Sequence, residues 1–227
     1  VSAANLVQFS DVRSTDWFYE SVQYVCTHGI MNGSGANSFA PQEKTTRGMV
    51  VTMLYRYEGL PLVSAQCPFQ DVAAGKYYWN AVVWAAENQI VGGLGGNRFG
   101  PDEAVTREQL AAILYRYANY KGYDTQRSAG LARFADSTDV GSYAVNAMKW
   151  AVAEGLLSGV SATELQPKGF AIRAQVAAIL MRFCEGVAAD NMPSKPDDSE
   201  QKKNDKPADT DDGKVPAGNG DTGNTAE

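Results

Sequence analysis

The chain holds 227 residues, 44% of them hydrophobic, with a formal net charge of −6, enough apolar material for one or two packed domains. Charge is uneven: residues 187–227 carry ten Asp or Glu against five Lys, a net of −5, which leaves about −1 for the rest. A nearly neutral body lacks the dense basic stripe that nucleic acid demands, and no stretch approaches the roughly 20 apolar residues of a membrane span.

Residues 1–8 form an N-terminal extension that opens at Val1-Ser2-Ala3-Ala4 without an initiator Met, as expected of a processed product or an excised fragment. Then one pattern is written three times, at 9–60, 69–120 and 134–186. Each copy starts with Phe-x-Asp: Phe9-Ser10-Asp11-Val12, Phe69-Gln70-Asp71-Val72 and Phe134-Ala135-Asp136. Aromatic residues follow: Trp17-Phe18-Tyr19, Tyr77-Tyr78-Trp79 and the sparser Tyr143. Val22, Val25, Cys26 and Ile30 then fall near helical spacing, and Tyr24 is matched by Trp84 and Trp150, so a first helix is predicted in each copy. The glycine-bearing pairs Asn32-Gly33, Gly92-Gly93 and Ser158-Gly159 are read as its stop.

A polar loop comes next, with an apolar residue six places after that glycine and a proline two further on: Phe39 and Pro41, Phe99 and Pro101, Leu165 and Pro167. Constant spacing implies a loop of fixed geometry rather than a sheet. The second helix is predicted to start at Thr46, Thr106 or Ile172. Thr106 with Gln109 forms a capping box, Thr46 caps through its hydroxyl alone, and Ile172 cannot cap, so its helix start needs another partner. Val50-Met53-Leu54-Tyr57, Leu110-Ile113-Leu114-Tyr117 and Val176-Ile179-Leu180-Phe183 repeat one apolar stripe at i, i+3, i+4, i+7. Two helices alone cannot bury such a face. Three second helices packed together can, which predicts an all-α fold: three helical repeats in a pseudo-threefold, trimer-like body.

Arg47, Arg107 and Arg173 recur at the first position of the second helix, about 60 and 66 residues apart. A cation at a helix N-terminus opposes the helix dipole, at a cost of about 0.3–1 kcal/mol where partly exposed. Three repeated instances call for compensation. One reading is a structural ion pair with the copy's own Asp11, Asp71 or Asp136. The other is an anionic ligand, because a helix N-terminus with a guanidinium fork suits carboxylate or phosphate; the two are compatible. The flat faces of Trp17, Tyr77 and Trp79 suit stacking on sugar rings, or else core packing. Gly33, Gly93 and Gly159 admit close ligand approach, or only end helices.

Catalytic patterns are missing: there is no nucleophile elbow, phosphate loop or metal-ligand cluster. His28 aligns with Asn88 and Glu154, so it has no role shared by the copies. Cys26, Cys67 and Cys184 share no repeat position and lack zinc spacing; they are expected as buried free thiols, with a disulfide between some pair as the alternative. An array with one recurring arginine points to a binding device, not an enzyme, with neither cofactor nor metal.

These motifs, in order over residues 9–185, resemble a tandem of three S-layer homology (SLH) domains. The family's Thr-Arg-Ala-Glu motif appears as Thr46-Arg47-Gly48-Met49, Thr106-Arg107-Glu108-Gln109 and Ile172-Arg173-Ala174-Gln175. The resemblance implies a three-pronged helical fold and noncovalent attachment of a secreted protein to a secondary cell wall polysaccharide, often capped by pyruvylated N-acetylmannosamine, outside a bacterium. It also implies that Arg47, Arg107 and Arg173 meet the ketal carboxylate in grooves between repeats. Asp11, Asp71 and Asp136 would support or line those grooves, Trp17 and Tyr77 would fill the aromatic position, and Gly33 and Gly93 would admit the ligand. An S-layer or cargo domain is the expected attachment, and the alternative is a module for surface-layer self-assembly or protein docking. The third copy departs most: it has an extra residue before Tyr143, Gly141 near the place of Trp17, and no Thr before Arg173. Its groove is expected to be the weakest, or purely structural. Residues 187–227, rich in charge, Gly and Pro, are expected to be a disordered acidic tail or linker, whose end at Glu227 fits either a removed further domain or a flexible extension.

Overall fold

The computed structural model describes residues 7–191. Its helices are α1 (Tyr19–Thr27), α2 (Arg47–Tyr57), α3 (Trp79–Glu87), α4 (Arg107–Tyr120), α5 (Val145–Ala153) and α6 (Arg173–Arg182). Short 3₁₀ turns at Ser137–Asp139 and Ser142–Ala144 precede α5, and a π-helical turn at Phe183–Ala188 extends α6. Among the described residues extended pairing is limited to isolated bridges, so the fold is all-α with two helices per copy.

The helices pair across copies. α2 packs on α3, α4 on α5, and α6 returns to α1, so the contacts close into a ring. The second helices meet one another through large side chains at the end of the predicted stripe, with ring centroids 6.4 Å apart for Tyr57–Tyr117 and 5.6 Å for Tyr117–Phe183. At the other end of these helices three backbone bonds form a cycle. Thr45 N–H donates to Ala171 C=O at 2.9 Å, Ala171 N–H to Val105 C=O at 3.0 Å, and Val105 N–H to Thr45 C=O at 2.9 Å. Each residue comes from a different copy.

The same segments satisfy the helix starts. The first N–H groups of α2, from Arg47 and Gly48, donate to Glu103 and Pro101 of the second copy. Those of α4, from Arg107 and Glu108, reach Gly169 and Pro167 of the third, and those of α6, from Arg173 and Ala174, reach Glu43 and Pro41 of the first. Neighbouring loops thus take two of the four orphan donors of each helix. Thr106 and Gln109 form the expected capping box, and the Thr46 hydroxyl accepts from Met49 N–H. At Ile172 half a box remains: the Gln175 side chain accepts from Ile172 N–H at 3.3 Å.

The first helices end earlier than expected. α1, α3 and α5 close at Thr27, Glu87 and Ala153. The residues that turn the chain in the left-handed region are Gly29 (φ 68°), Gln89 (φ 58°) and Gly155 (φ 68°), not Gly33, Gly93 and Gly159. The latter glycines are required by crowding. A Cβ on Gly33 would lie 2.7 Å from the Phe9 ring, and one on Gly93 2.8 Å from Arg98 O. Close approach of loop to loop leaves no room for a side chain there. The ordered chain also passes the boundary expected at 186, since Val187 and Ala188 are buried; the rest of the expected tail, 192–227, lies outside the described residues. Cys26, Cys67 and Cys184 are free, and burial pushes the thiols of Cys26 and Cys184 up to about 11.

Gln89 holds a turn that its two counterparts give to glycine. A left-handed conformation costs an ordinary L-residue about 1 kcal/mol. Gln89→Gly should therefore raise stability by about 0.5–1 kcal/mol, read as a higher midpoint in urea unfolding, while Gly155→Ala should lower it.

Candidate functional site

The three motif arginines are buried, 6%, 5% and 5% exposed for Arg47, Arg107 and Arg173. None makes an ion pair among the described residues. Each instead crosses into the next copy. Arg47 Nε donates to Phe99 O at 2.8 Å and its Nη2 to Gly92 O at 3.1 Å. Arg107 reaches Leu165 O at 2.7 Å and Ser158 O at 2.6 Å. Arg173 reaches Phe39 O and Asn32 O, both at 2.8 Å. The guanidinium also lies over the Phe99 ring for Arg47 and the Phe39 ring for Arg173, at 4.7 and 4.6 Å. Burial lowers the pKa of all three, but an arginine side chain in a protein stays charged.

The aspartates hold the opposite side of the same loop. Asp11 accepts from the N–H groups of Phe39 and Ala40 at 2.9 and 2.8 Å and from the Ser38 hydroxyl at 2.7 Å. Asp71 accepts from Phe99 and Gly100, and Asp136 from Leu165 and Gln166. So residues 39, 99 and 165 each have their N–H held by the copy's own Asp and their C=O held by the arginine of the preceding copy. The ion-pair expectation is corrected: Asp and Arg act on one backbone residue from two sides without touching.

Three grooves of about 320, 300 and 330 Å³ lie beside these arginines, at the low end of small-ligand sites. Each draws on all three copies. The first combines Arg47, the Val91–Leu94 loop, the α4 residues Gln109, Ala112, Ile113 and Arg116, and Tyr143. The second combines Arg107, the loop 156–160, the α6 residues Gln175, Ala178, Ile179 and Arg182, and Trp17. The third combines Arg173, the loop 31–34, the α2 residues Met49, Thr52, Met53 and Arg56, and Tyr77, with Glu43 at its edge. The wall aromatics are 63%, 59% and 53% exposed for Trp17, Tyr77 and Tyr143, whereas Phe18 and Tyr78 beside the first two are core. Trp79 packs against the core, the alternative the sequence had left open for it, while Tyr77 stands at the groove wall.

A model of the family "S-layer homology domain" matches residues 8–48, 68–111 and 133–177. The chain belongs to this family. It is similar to an endoglucanase of Bacillus sp. strain KSM-635, 29% identical over 83% of this chain and 20% of that protein. It is likewise 28% identical to the surface-layer 125 kDa protein of Lysinibacillus sphaericus, over 83% of this chain and 16% of that one. A cellulosome-anchoring protein of Acetivibrio thermocellus is 23% identical over 69% of this chain and 35% of its own length. The chain thus spans about a third or less of each of these relatives.

Within the SLH repeats, the residues that sequence reasoning missed are Arg56, Arg116 and Arg182. They stand nine residues after the motif arginines, inside the recurring Leu-Tyr-Arg-Tyr, Leu-Tyr-Arg-Tyr and Leu-Met-Arg-Phe. Recurrence was the available signal, but only the fold shows that Arg116 serves the groove of Arg47, Arg182 that of Arg107, and Arg56 that of Arg173. The third copy is also corrected. Counted back from α5, Tyr143 takes the place of Trp17 and Tyr77, and the 3₁₀ turn at Ser137–Asp139 takes up the extra residue. Of the three motif aspartates, Asp11 lines a separate open cavity with Asp16 and Glu43.

Desolvation alone would raise the Asp11 carboxyl, but hydrogen bonds from Phe39, Ser38 and Ala40 outweigh it, and its pKa lies below the usual 3.8. A depressed folded pKa contributes stability above the unfolded value, lost as pH falls through the folded one. Asp11→Asn should cost about 1.5–3 kcal/mol at pH 7, the range for hydrogen bonds to a charged group. The gap to the parent chain should close below the ordinary carboxylate range, and unfolding midpoints at pH 7 and pH 2 check both.

Proposed function

We propose that this chain anchors a surface protein noncovalently to the bacterial cell wall by holding an anionic wall polysaccharide in the three grooves. The ligand proposed is a secondary polymer bearing pyruvylated N-acetylmannosamine. One observation carries the reading: three buried guanidinium groups have no carboxylate partner among the described residues and stand beside grooves that each add a second arginine and an exposed aromatic ring. A carboxylate on a sugar would offset that charge, with the motif arginine fixed by two carbonyls and the second arginine reaching the ligand from the helix beside it. Trp17, Tyr77 and Tyr143 supply faces for the pyranose rings, and Gly33, Gly93 and Gly159 let the loop backbone come close. Asp11, Asp71 and Asp136 act through the loops they brace. The relatives named for anchoring and for surface layers support the wall location. The match to the endoglucanase covers 20% of that enzyme, and no catalytic role is proposed for this chain.

The two arginine sets should separate binding from folding. Arg47→Ala removes two charge-assisted bonds between copies, each worth about 1.5–3 kcal/mol, so stability and binding fall together. Arg116→Ala and Arg182→Ala alter exposed residues, and should weaken binding about tenfold with a melting temperature close to that of the parent. The assay is co-sedimentation with purified wall sacculi before and after acid extraction of their secondary polymers. Loss of binding on extraction is the expected result. Absence of binding to both preparations, with concentration-dependent assembly of the chain, would replace this reading with self-association.

A further inference from the structure

The three wall aromatics are braced in two different ways. Trp17 stands edge-on to Phe18, with centroids 5.3 Å apart at 86°, and Tyr77 to Tyr78, 5.0 Å apart at 73°. The residue after Tyr143 is Ala144, fully buried and without a ring. What replaces the ring comes from another copy. Glu108, 3% exposed in the first turn of α4, accepts from the Tyr143 hydroxyl at 2.9 Å and from Gly141 N–H at 2.8 Å, and pairs with Lys168 Nζ at 2.6 Å. All three donors belong to the third copy.

The exchange is one of volume as well as charge. The residue after the motif arginine is Gly48 in the first copy, Glu108 in the second and Ala174 in the third. A Cβ on Gly48 would come within 3.1 Å of the Tyr78 ring, so glycine leaves that ring its space. Where the ring shrinks to Ala144, the facing side chain grows to glutamate. Gly141 completes the fit, because a Cβ there would lie 2.8 Å from the Tyr143 ring and 3.3 Å from Glu108 Oε1. Lys168 and the positive end of α4 balance the carboxylate, so its charge does not oppose an anion beside Arg47 and Arg116.

We propose that Glu108 is a positioning residue of the Arg47 groove: by pinning the Tyr143 hydroxyl it fixes the groove's wall before ligand arrives and makes this groove the tightest of the three. The inference rests on the grooves being glycan sites. Burial and the Glu108 hydrogen bond hold the Tyr143 phenol protonated, far above its ordinary pKa, so the donor persists across the neutral range. A ring already ordered spares the ligand the cost of immobilising it, which corresponds to about a 3- to 10-fold gain in affinity.

Each groove contains its own methyl reporter, Ile113 beside Arg47, Ile179 beside Arg107 and Met53 beside Arg173. Methyl-resolved NMR titration of the full chain with the methyl glycoside of 4,6-pyruvylated N-acetylmannosamine reads the three separately. In the parent, Ile113 should saturate first. Tyr143→Phe, which keeps the ring, and Glu108→Ala should each weaken the Ile113 curve by about 3- to 10-fold, leaving Ile179 and Met53 unmoved. Glu108→Gln, which retains an acceptor for the hydroxyl, should recover part of the loss. An unchanged Ile113 curve in Tyr143→Phe, or three curves shifting together, would overturn the positioning role while leaving the grooves as binding sites. No methyl responding in the parent would overturn the glycan reading itself.

Discussion

One peptide unit in each copy is gripped from both sides, and the molecule is organised around that grip. At Phe39, Phe99 and Leu165 an aspartate of the same copy takes the N–H while an arginine of the preceding copy takes the C=O. Bonds to charged groups are the stronger ones, and burial spares them competition from water. Because the third arginine returns to the first copy, the chain of grips is closed. An open array of repeats needs special end units to cover its exposed faces. Here the last copy covers the first, and the cycle of backbone bonds through Thr45, Ala171 and Val105 marks the centre of the closure.

The same grip creates the site. Two carbonyls are enough to orient a guanidinium but not to cancel its charge, so each junction between copies keeps a positive group at the base of a groove. The motif arginine is therefore part of the fold and of the groove wall alike. The second arginine of each groove takes no part in that grip between copies, although Arg182 also reaches Leu156 O within its own copy at 3.5 Å. Closure also explains the composition of the grooves: one copy gives the arginine, the next gives loop and helix, and the remaining one gives the aromatic wall.

Departures from the repeat are correlated across the interfaces. Losing the aromatic that would follow Tyr143 opens space beside α4, and Glu108 enters it with a hydrogen bond and a lysine partner. A departure in the third copy is thus matched by a side chain of its neighbour. The same holds at Ile172, where the missing cap hydroxyl is offset by Gln175 and by carbonyls from the first copy.

The sequence by itself determined the helical class, the threefold repetition, the apolar stripe, the capping of α2 and α4, and the recurrence of the motif arginine. These depend on local periodicity and on hydroxyl or amide groups within one turn of the residue they serve, and such information is carried by neighbours along the chain. Tertiary structure alone decided the partners. Ion pairing of Asp11, Asp71 and Asp136 with the arginines was one of two readings of the repeated arginine, yet the arginines cross to carbonyls about 45 to 141 residues away, a separation no local rule reaches. Turns at Gly29, Gln89 and Gly155 rather than at the later glycines were hidden because glycine serves both positive φ and close packing, and only the packed molecule distinguishes them. Arg116 could be counted in the sequence, but its assignment to the groove of Arg47 depends on how three copies close into a ring, which is a property of the packed molecule and not of any one repeat.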